Sequence, residues 1–328
     1  MNLIDDDKAF TFALISKIYI AMKTIIWKLL GVFCLLSLIS SCSSGGGEDL
    51  PDPPTPTPPP ASQKIKMNLS CGVSSRVTDT AYEEDDKVGV YVVNYNGNTA
   101  GTLSQSGNHV DNLPFTYNSG KWNASSTIYW KDGTTHADFY CYYPYNTTVS
   151  DVTAHAFSVK EDQSTEANYK GSEFLYGTAL DKAPSETTVS ITTYHAMSAM
   201  VIKLEAGDGF TATSLANANA EVKINGVKTS ANVNLRTGDV SAVGEAHSII
   251  PLKGNGQYKA LIVPQTVSAD NLISIVIEGK EFKFSKDFTF VAGKRHTFTI
   301  TVNKTSSGVN VGITDWEDDG VDNGGTAE

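Results

Sequence analysis

Apolar and polar residues alternate along much of this chain with a period of two. The alternation is clearest in five segments, "IKMNLSC" (65–71), "VGVYVV" (88–93), "DFYCYY" (138–143), "ISIVI" (273–277) and "TFTITV" (297–302). Such alternation predicts β-strands with one buried face. Turn-forming sequences such as "YNGN" (95–98), "INGV" (224–227) and "RTGD" (236–239) separate the segments. This density of strands and turns predicts an all-β chain of antiparallel β-sandwiches.

The sequence predicts two folded domains. No segment shows a long helical period, although "SLANANAEVK" (214–223) is compatible with a short helix. The polar stretch "LDKAPSETT" (180–188) separates two strand-rich halves. We therefore expect one sandwich over residues 62–185 and a second over residues 186–328.

The N-terminal region has the pattern of a lipoprotein signal. Lys23 and Lys28 precede the apolar run "LLGVFCLLSLI" (29–39), which is too short to span a bilayer. The residues "ISSC" that end at Cys42 resemble the lipobox of bacterial lipoproteins. We expect residues 1–21 to lie upstream of the true start at Met22, residues 22–41 to be the signal peptide, and Cys42 to be lipidated. The alternative is an ordinary secretory signal with a chance cysteine.

Residues 42–61 predict a tether between the lipid and the folded part. The segment "SSGGGEDLPDPPTPTPPP" (43–60) is rich in glycine, which gives slack, and in proline, which favours extended polyproline II. Several acyl chains on Cys42 would give stable attachment to a membrane. The folded part would then be held away from the lipid.

Composition and charge exclude several classes of function. The net charge of −11 argues against a nucleic-acid partner. Cys71 and Cys141 are the only cysteines after Cys42, too few for a disulfide scaffold. We favour two free buried thiols, but a disulfide between them stays open because the sequence does not give their distance.

Motifs for catalysis, metals or cofactors are not found in the sequence. The six histidines are scattered singly, and the acidic runs "EEDD" (83–86) and "DWEDD" (315–319) lack the ligand spacing of a calcium loop. We therefore expect no enzyme activity, no cofactor and no metal. A pair of carboxylates for glycoside hydrolysis leaves no local motif, so that alternative stays open.

The densest aromatic feature is "STIYWKDGTTHADFYCYYPY" (126–145). It could form a stacking platform for sugars, since tyrosine and tryptophan combine an apolar face with a polar edge. We favour a structural role, in which Phe139 and Tyr143 fill a sandwich while Tyr140 and Tyr142 pack on the opposite face against a loop or neighbour.

The chain resembles a known family in the order and spacing of several segments. These are "VGVYV" (88–92), "IYW" (128–130), "ADFYCYYPY" (137–145), "SEFLYG" (172–177), "YHAMSAMVIKL" (194–204), "NLRTGDV" (234–240), "LIVPQTV" (261–267), "FVAGKRHTFTITV" (290–302) and "ITDW" (313–316). Behind a lipobox, they resemble the fimbrillin family, the Mfa-like or type V pilin subunits of Bacteroidales. The resemblance implies two tandem transthyretin-like sandwiches and a lipoprotein precursor. The precursor would be exported to the outer membrane, exposed at the cell surface and assembled with other subunits into a fimbrium. It does not choose between a shaft, tip or anchor role.

The resemblance also implies how the subunit matures. The candidate for removal is "KIKMNLSCGV" (64–73), which is followed by "SSRVTDT" (74–80), where Arg76 suits an Arg-specific protease. The candidate donor strand is "VNVGITDW" (309–316), with Val309, Val311 and Ile313 on one face. The alternative is that Arg76 is an ordinary loop residue and the tail a local strand.

Two further expectations concern the cell surface. The tripeptide "DTA" (79–81) fits an O-glycosylation pattern of this group of bacteria, so Thr80 is a candidate site, although a chance match explains it almost as well. The main hypothesis is a structural pilin that supports adhesion and biofilm formation. The alternative is a monomeric surface lipoprotein that binds host or bacterial glycans.

Overall fold

The structure is a computed structural model that describes residues 64–74, 82–268, 270–303 and, for the backbone only, 325–327. These residues lie within one compact unit, residues 62–328. The described chain is almost entirely β-structure, which confirms the predicted fold class. No helix in this described part is long and apolar enough to cross a membrane.

The elements up to residue 195 build most of the first half. In chain order they are β1 (Asn68–Val73), β2 (Lys87–Asn94), β3 (Val110–Asn118), β4 (Lys121–Ala124), β5 (Ala137–Tyr143), β6 (His155–Ser158), α1 (Glu166–Lys170), β7 (Leu175–Lys182) and β8 (Thr188–His195). Seven of these strands form one sheet in the order β1-β8-β7-β5-β2-β3-β4. All neighbours in this sheet are antiparallel except β1 and β8, which are parallel.

The second half is a sandwich of two five-stranded sheets. Its elements are β9 (Ser198–Ala206), α2 (Ala212–Asn217), β10 (Glu221–Val233), β11 (Val240–Ile249), β12 (Leu252–Gly254), β13 (Gln257–Ile262), β14 (Gln265–Val267), β15 (Ile273–Ile277), β16 (Lys280–Phe284), β17 (Phe288–Phe290), β18 (Arg295–Val302) and β19 (Gly325–Ala327). One sheet has the order β11-β10-β15-β16, with β6 also on β10, and the other has the order β12-β13-β9-β18-β19. Strands β14 and β17 form a separate pair.

Strand pairing crosses the boundary that the sequence predicts between residues 185 and 186. Strand β8 follows that boundary, yet it pairs with β7 and β1 in the first sheet. Strand β6 precedes it, yet it pairs with β10 of the second half. Strands β6 and β8 therefore each pair with strands on the far side of the predicted boundary.

Two clusters of buried side chains fill the fold. The first core lies on one face of the seven-stranded sheet and consists of Met67, Leu69, Cys71, Val88, Val90, Val92, Val110, Phe115, Trp130, Ala137, Phe139, Cys141, Ala179, Val189 and Ile191. The second core starts on the other face of that sheet, at Tyr91, Tyr140 and Tyr142, and continues through the second sandwich. Apolar side chains therefore cover both faces of the central strands β2 and β5.

One predicted turn is wrong. The sequence "INGV" lies inside the long strand β10, where the pairing with β11 shifts register between Ile224 and Val227. Gly226 has a φ of 72° there, a conformation that glycine adopts without a steric penalty. The Asn-Gly pair therefore makes a β-bulge instead of a hairpin turn.

Candidate functional site

The first strand, β1, is the candidate site because its backbone pairs with a single neighbouring strand over its full length. Its residues from Asn68 to Val73 pair in parallel with β8, from Thr188 to Thr193. The residues just before β1 also contact the chain between β4 and β5, where Met67 N donates to Ile128 O at 3.0 Å and Trp130 N donates to Ile65 O at 2.9 Å. Strand β1 is thus an edge strand of the first sheet.

Alternate side chains of β1 enter the first core. Met67, Leu69 and Cys71 are 3%, 7% and 8% exposed, as the period-two pattern predicts. Burial of a leucine or methionine side chain stabilises a fold by about 1.5–3 kcal/mol. Loss of β1 would therefore uncover apolar side chains of the first core and one backbone edge of β8.

A groove follows the second edge of β1. Its volume is about 460 Å³, and its walls are the residues from Lys66 to Ser70, which lead into β1, on one side and β4 on the other. One side chain crosses it, because Trp122 Nε1 donates a hydrogen bond to Cys71 O at 2.7 Å. Among the described residues, this edge of β1 therefore makes fewer hydrogen bonds than the edge that pairs with β8.

Ser74, just after β1, and Tyr82 both contact the same residue, Thr193. Ser74 N donates to Thr193 O at 2.8 Å. The Thr193 hydroxyl donates to Gly72 O at 3.1 Å and lies 2.9 Å from the Tyr82 hydroxyl. The Tyr82 hydroxyl is the donor to Thr193, because the Thr193 hydrogen is already donated to Gly72 O. Burial raises the pKa of Tyr82 above its ordinary value. Ser74 and Tyr82, the described residues on either side of the segment 75–81, therefore contact the same residue.

Most of the site residues that the sequence predicts lie outside the described residues. These are Cys42, Arg76, Thr80, Val309, Val311 and Ile313. The end of the chain is described again at β19, which pairs in parallel with Ile300–Val302 of β18. The C-terminal residues thus reach an edge of the second sandwich.

Cys71 of β1 and Cys141 of β5 contact each other. Their Sγ atoms are 3.3 Å apart, and both residues are free and buried, as we favoured from the sequence. The hydrogen bond with Cys71 and burial raise the pKa of the Cys141 thiol well above its ordinary value. Sequence reasoning could not find this contact, because two strands separate β1 from β5 in the sheet.

The aromatic residues of β5 are structural. Phe139 and Tyr142 are 0% and 1% exposed. Phe139 belongs to the first core and Tyr140 and Tyr142 to the second, while Tyr143 packs against the first. The structural interpretation of these β5 residues is therefore confirmed, whereas Tyr129 of the same cluster is 41% exposed.

The scattered histidines and acids have local partners. The closest contacts join His109 Nε2 to Tyr129 O at 2.7 Å, His136 to Asp181 at 2.6 Å, His195 to Glu173 at 2.9 Å and His247 to Glu161 at 3.2 Å. Glu83 of the "EEDD" run pairs with Lys170, and Asp86 accepts from the Tyr143 hydroxyl at 3.1 Å. Among the residues that the structure describes, no cluster of histidine, cysteine, aspartate or glutamate could hold a metal ion.

A second cavity, of about 620 Å³, lies beside β7 and β8 on the face of the sheet that carries Tyr140 and Tyr142, and Thr237, Gly238 and Ala292 of the second half also line it. It combines two tyrosines, of which Tyr194 is 60% exposed, with hydroxyl groups. The tyrosines and hydroxyl-bearing residues that line the cavity are Tyr176, Thr178, Ser190, Thr192, Tyr194 and Thr237. An exposed ring beside several hydroxyls is a suitable surface for a sugar.

Known proteins are similar to this chain in both sequence and fold. A family model described as fimbrillin-like matches residues 75–316. The curated protein "Putative fimbrium subunit Fim1C" of Bacteroides uniformis is 25% identical over 297 residues, which cover 85% of this chain and 91% of that protein.

Two solved structures have a similar fold. Both are described as a "putative cell adhesion protein". The one from Bacteroides uniformis has a TM-score of 0.59 and 23% identity, and the match covers 73% of this chain and 94% of that chain. The one from Bacteroides ovatus has a TM-score of 0.58 and 16% identity, with 74% and 93% covered. Because the family model spans most of the sequence, the resemblance is confirmed: this chain belongs to the fimbrillin-like family.

Proposed function

We propose that this chain is a structural, non-catalytic subunit of a cell-surface fimbria. Its family and the fimbrium subunit of Bacteroides uniformis support this role and association with other fimbrial subunits. In the proposal, the chain is exported as a lipoprotein precursor, held in the outer membrane through Cys42, cleaved after Arg76 and polymerised by strand exchange. The finished fibre supports adhesion and biofilm formation.

The observation that carries the mechanism is the placement of β1. This strand fills one side of the first core with Met67, Leu69 and Cys71, yet it pairs along its length with β8 alone among the described strands. Cleavage between Ser74 and Tyr82 would cut the covalent link between β1 and the rest of the fold. Departure of β1 would then leave unpaired backbone groups on β8 and an open apolar groove, a state that readily accepts an incoming strand.

The proposed occupant of this groove is the segment 309–316 of another subunit. Its Val309, Val311 and Ile313 would take the places of Met67, Leu69 and Cys71, since both segments put three apolar side chains on one face. Main-chain hydrogen bonds to β8 would supply affinity, and the apolar side chains would supply specificity.

A matched pair of charge substitutions tests the donor strand. Val311→Asp places a carboxylate on the apolar face, whereas Asn310→Asp adds the same charge on the other face. We expect Val311→Asp to abolish heat-labile ladders on unboiled gels and Asn310→Asp to preserve them. Equal ladders from both variants would refute the donor role.

A second matched pair tests maturation. Arg76→Ala should leave a membrane-bound monomer in cells that contain an Arg-specific protease. Arg76→Lys keeps the positive charge, but an Arg-specific protease should not cleave this variant either. If the Arg76→Lys subunit is still processed, the protease does not recognise arginine at this position. If the parent chain never polymerises with its protease present, the fimbrial shaft role is wrong.

Cys42 and Thr80 have direct chemical tests. Metabolic labelling with an alkyne fatty acid should tag the precursor, and Cys42→Ala should abolish the tag. Glycosylation should add a sugar mass to the peptide that contains Thr80, and the unmodified mass would remove that expectation.

The cavity beside β7 and β8 favours glycan binding as the second candidate function. The exposed ring of Tyr194 would stack against a neutral sugar, and the surrounding hydroxyl groups would form hydrogen bonds with it. This role fits a monomeric surface lipoprotein or a tip subunit. Binding to a glycan array that Tyr194→Ala abolishes, in a chain that forms no polymer, would support it over the fibre.

A further inference from the structure

We propose that Cys71 and Cys141 form a redox-dependent lock that decides whether cleavage releases β1. This inference rests on the proposed function, since it concerns the strand that is proposed to leave. The two thiols belong to different strands of the first sheet, and Cys71 lies before the segment that is proposed to be cut.

The geometry brings the two sulfurs into contact. The Sγ atoms are 3.3 Å apart across the first core, and a bond needs about 2.05 Å. Cys71 and Cys141 are the only cysteines that follow Cys42, and they are 70 residues apart in sequence. Two partners so distant in the chain meet here because the sheet curves and brings β1 over β5.

The oxidation is an ordinary thiol–disulfide exchange. The thiolate of one cysteine attacks a sulfur of an external disulfide and expels one thiolate from it. The second cysteine then attacks the sulfur of the first and expels the other thiolate. The two cysteines lose two protons and two electrons, and the oxidant, a disulfide-bearing oxidoreductase of the envelope, is reduced to a dithiol.

The exchange has to take place before β1 docks. In the folded chain Cys71 and Cys141 are 8% and 1% exposed, so a bulky oxidant cannot reach them. The raised pKa of the Cys141 thiol also keeps it protonated and unreactive once the core has closed. The redox state at the time of folding is therefore preserved afterwards.

The lock has two states with opposite outcomes. With reduced thiols, cleavage after Arg76 leaves β1 held by the β8 ladder and by burial, so an incoming strand can replace it. With a disulfide, the fragment that carries the lipid stays bonded to β5, and the subunit remains anchored after the cut. Oxidation therefore favours an anchored subunit, and reduction favours a free one.

The test uses the full chain, purified in detergent and refolded from denaturant with glutathione disulfide. After alkylation, peptide mapping should show Cys71 linked to Cys141, with a loss of two hydrogens. After cleavage at Arg76, verified by mass, the N-terminal fragment should stay with the body on a denaturing gel without reductant and separate completely with reductant. Cys141→Ala should release the fragment under both conditions.

Two outcomes would overturn the lock. One is alkylation of both thiols after refolding with glutathione disulfide, and the other is separation of the verified fragment without reductant. The double variant Cys71→Ala and Cys141→Ala shows whether the fold tolerates their loss. Neither readout needs a polymer, so a chain that forms the disulfide but never polymerises contradicts the proposed function alone. A chain that polymerises without ever forming the disulfide contradicts the lock alone.

Discussion

Strands β1 and β5 each contribute a cysteine to the same core, but the rest of the fold holds them in different ways. Strand β5 pairs along both edges, with β2 and β7, and its side chains enter both cores. Strand β1 pairs along its length with β8, and its apolar side chains enter the first core alone. The number of bonded edges and buried faces thus separates a strand whose loss would disrupt the whole fold from one whose loss would expose a single edge and a single face.

This difference has an energetic consequence. Removal of β5 would split the seven-stranded sheet and open both cores, so it requires global unfolding. Removal of β1 exposes one edge and one face, and it leaves the six other strands paired. Local opening of an edge element can cost much less than global unfolding. Perturbations of β5 should therefore act on the whole chain, and perturbations of β1 should act locally.

The largest expected effect comes from Phe139→Ala in β5. The Phe139 side chain is 0% exposed and packs against Trp130 with ring centroids 5.6 Å apart. We expect the free energy of unfolding to fall by about 3–5 kcal/mol, as for other buried phenylalanines. Urea unfolding measures this loss. The control is Tyr194→Ala on the surface, which should change the free energy of unfolding little. A loss below about 1 kcal/mol would show that β5 is not a permanent core strand.

The next effect is local and comes from Leu69→Ala in β1. We expect a loss of about 2–3 kcal/mol, at the lower end for a buried leucine because an edge strand can relax into the space. Hydrogen exchange should become faster for the amides of β8 from Thr188 to Thr193 and stay unchanged in β5. Ser70→Ala, on the other face of β1, is the control. Faster exchange in β5 as well would mean that β1 does not open separately.

Sequence patterns predicted what each strand buries but not how the strands pair. The alternation at Met67, Leu69 and Cys71 identified the buried face of β1 because side chains of a strand alternate between faces. The run "VGVYVV" was expected to be half-buried, yet Tyr91 is 1% exposed because the second core covers the other face. The run "VGVYVV" has no polar residues at alternate positions, and this pattern could have predicted that both faces of β2 are buried.

The remaining features depend on contacts between distant segments. The parallel pairing of β1 with β8 joins residues 120 positions apart, and no local pattern encodes such a partner. The bulge at Gly226 was mistaken for a turn because Asn-Gly favours the same positive φ in both. The contact between Cys71 and Cys141 likewise depends on the curvature of the sheet.

A smaller effect is expected from Trp122→Phe, which removes the indole donor to Cys71 O across the groove. Loss of one hydrogen bond costs about 1 kcal/mol. Exchange should quicken at the amides of β1 that face the groove. The amides of β5, which Trp122 Nε1 does not contact, are the internal control and should exchange at the same rate as in the parent chain. Unchanged exchange in β1 of Trp122→Phe would show that the bond across the groove does not hold this strand.

The smallest effect concerns β8, the strand on which β1 depends, and its dependence on pH. His195 ends β8, and its Nδ1 lies 2.9 Å from Oε2 of the buried Glu173. Burial lowers the pKa of His195, but the hydrogen bond and negative charge of Glu173 raise it by more, so the folded pKa lies above the ordinary value. The effect is small because these contributions oppose each other.

The sign of this dependence follows from the raised pKa. Below the unfolded pKa of about 6.5, the imidazole is charged in both states and the pair contributes its full stabilisation. As the pH rises through the folded pKa, the folded chain loses the proton and the stabilisation is lost. The free energy of unfolding should therefore fall as the pH rises above the unfolded pKa of about 6.5 in the parent chain and change less in His195→Gln, whose side chain does not titrate. Urea unfolding across this range compares the two slopes. Equal slopes would show that the pair does not stabilise the end of β8, and β1 would then depend on the ladder and its buried side chains at every pH.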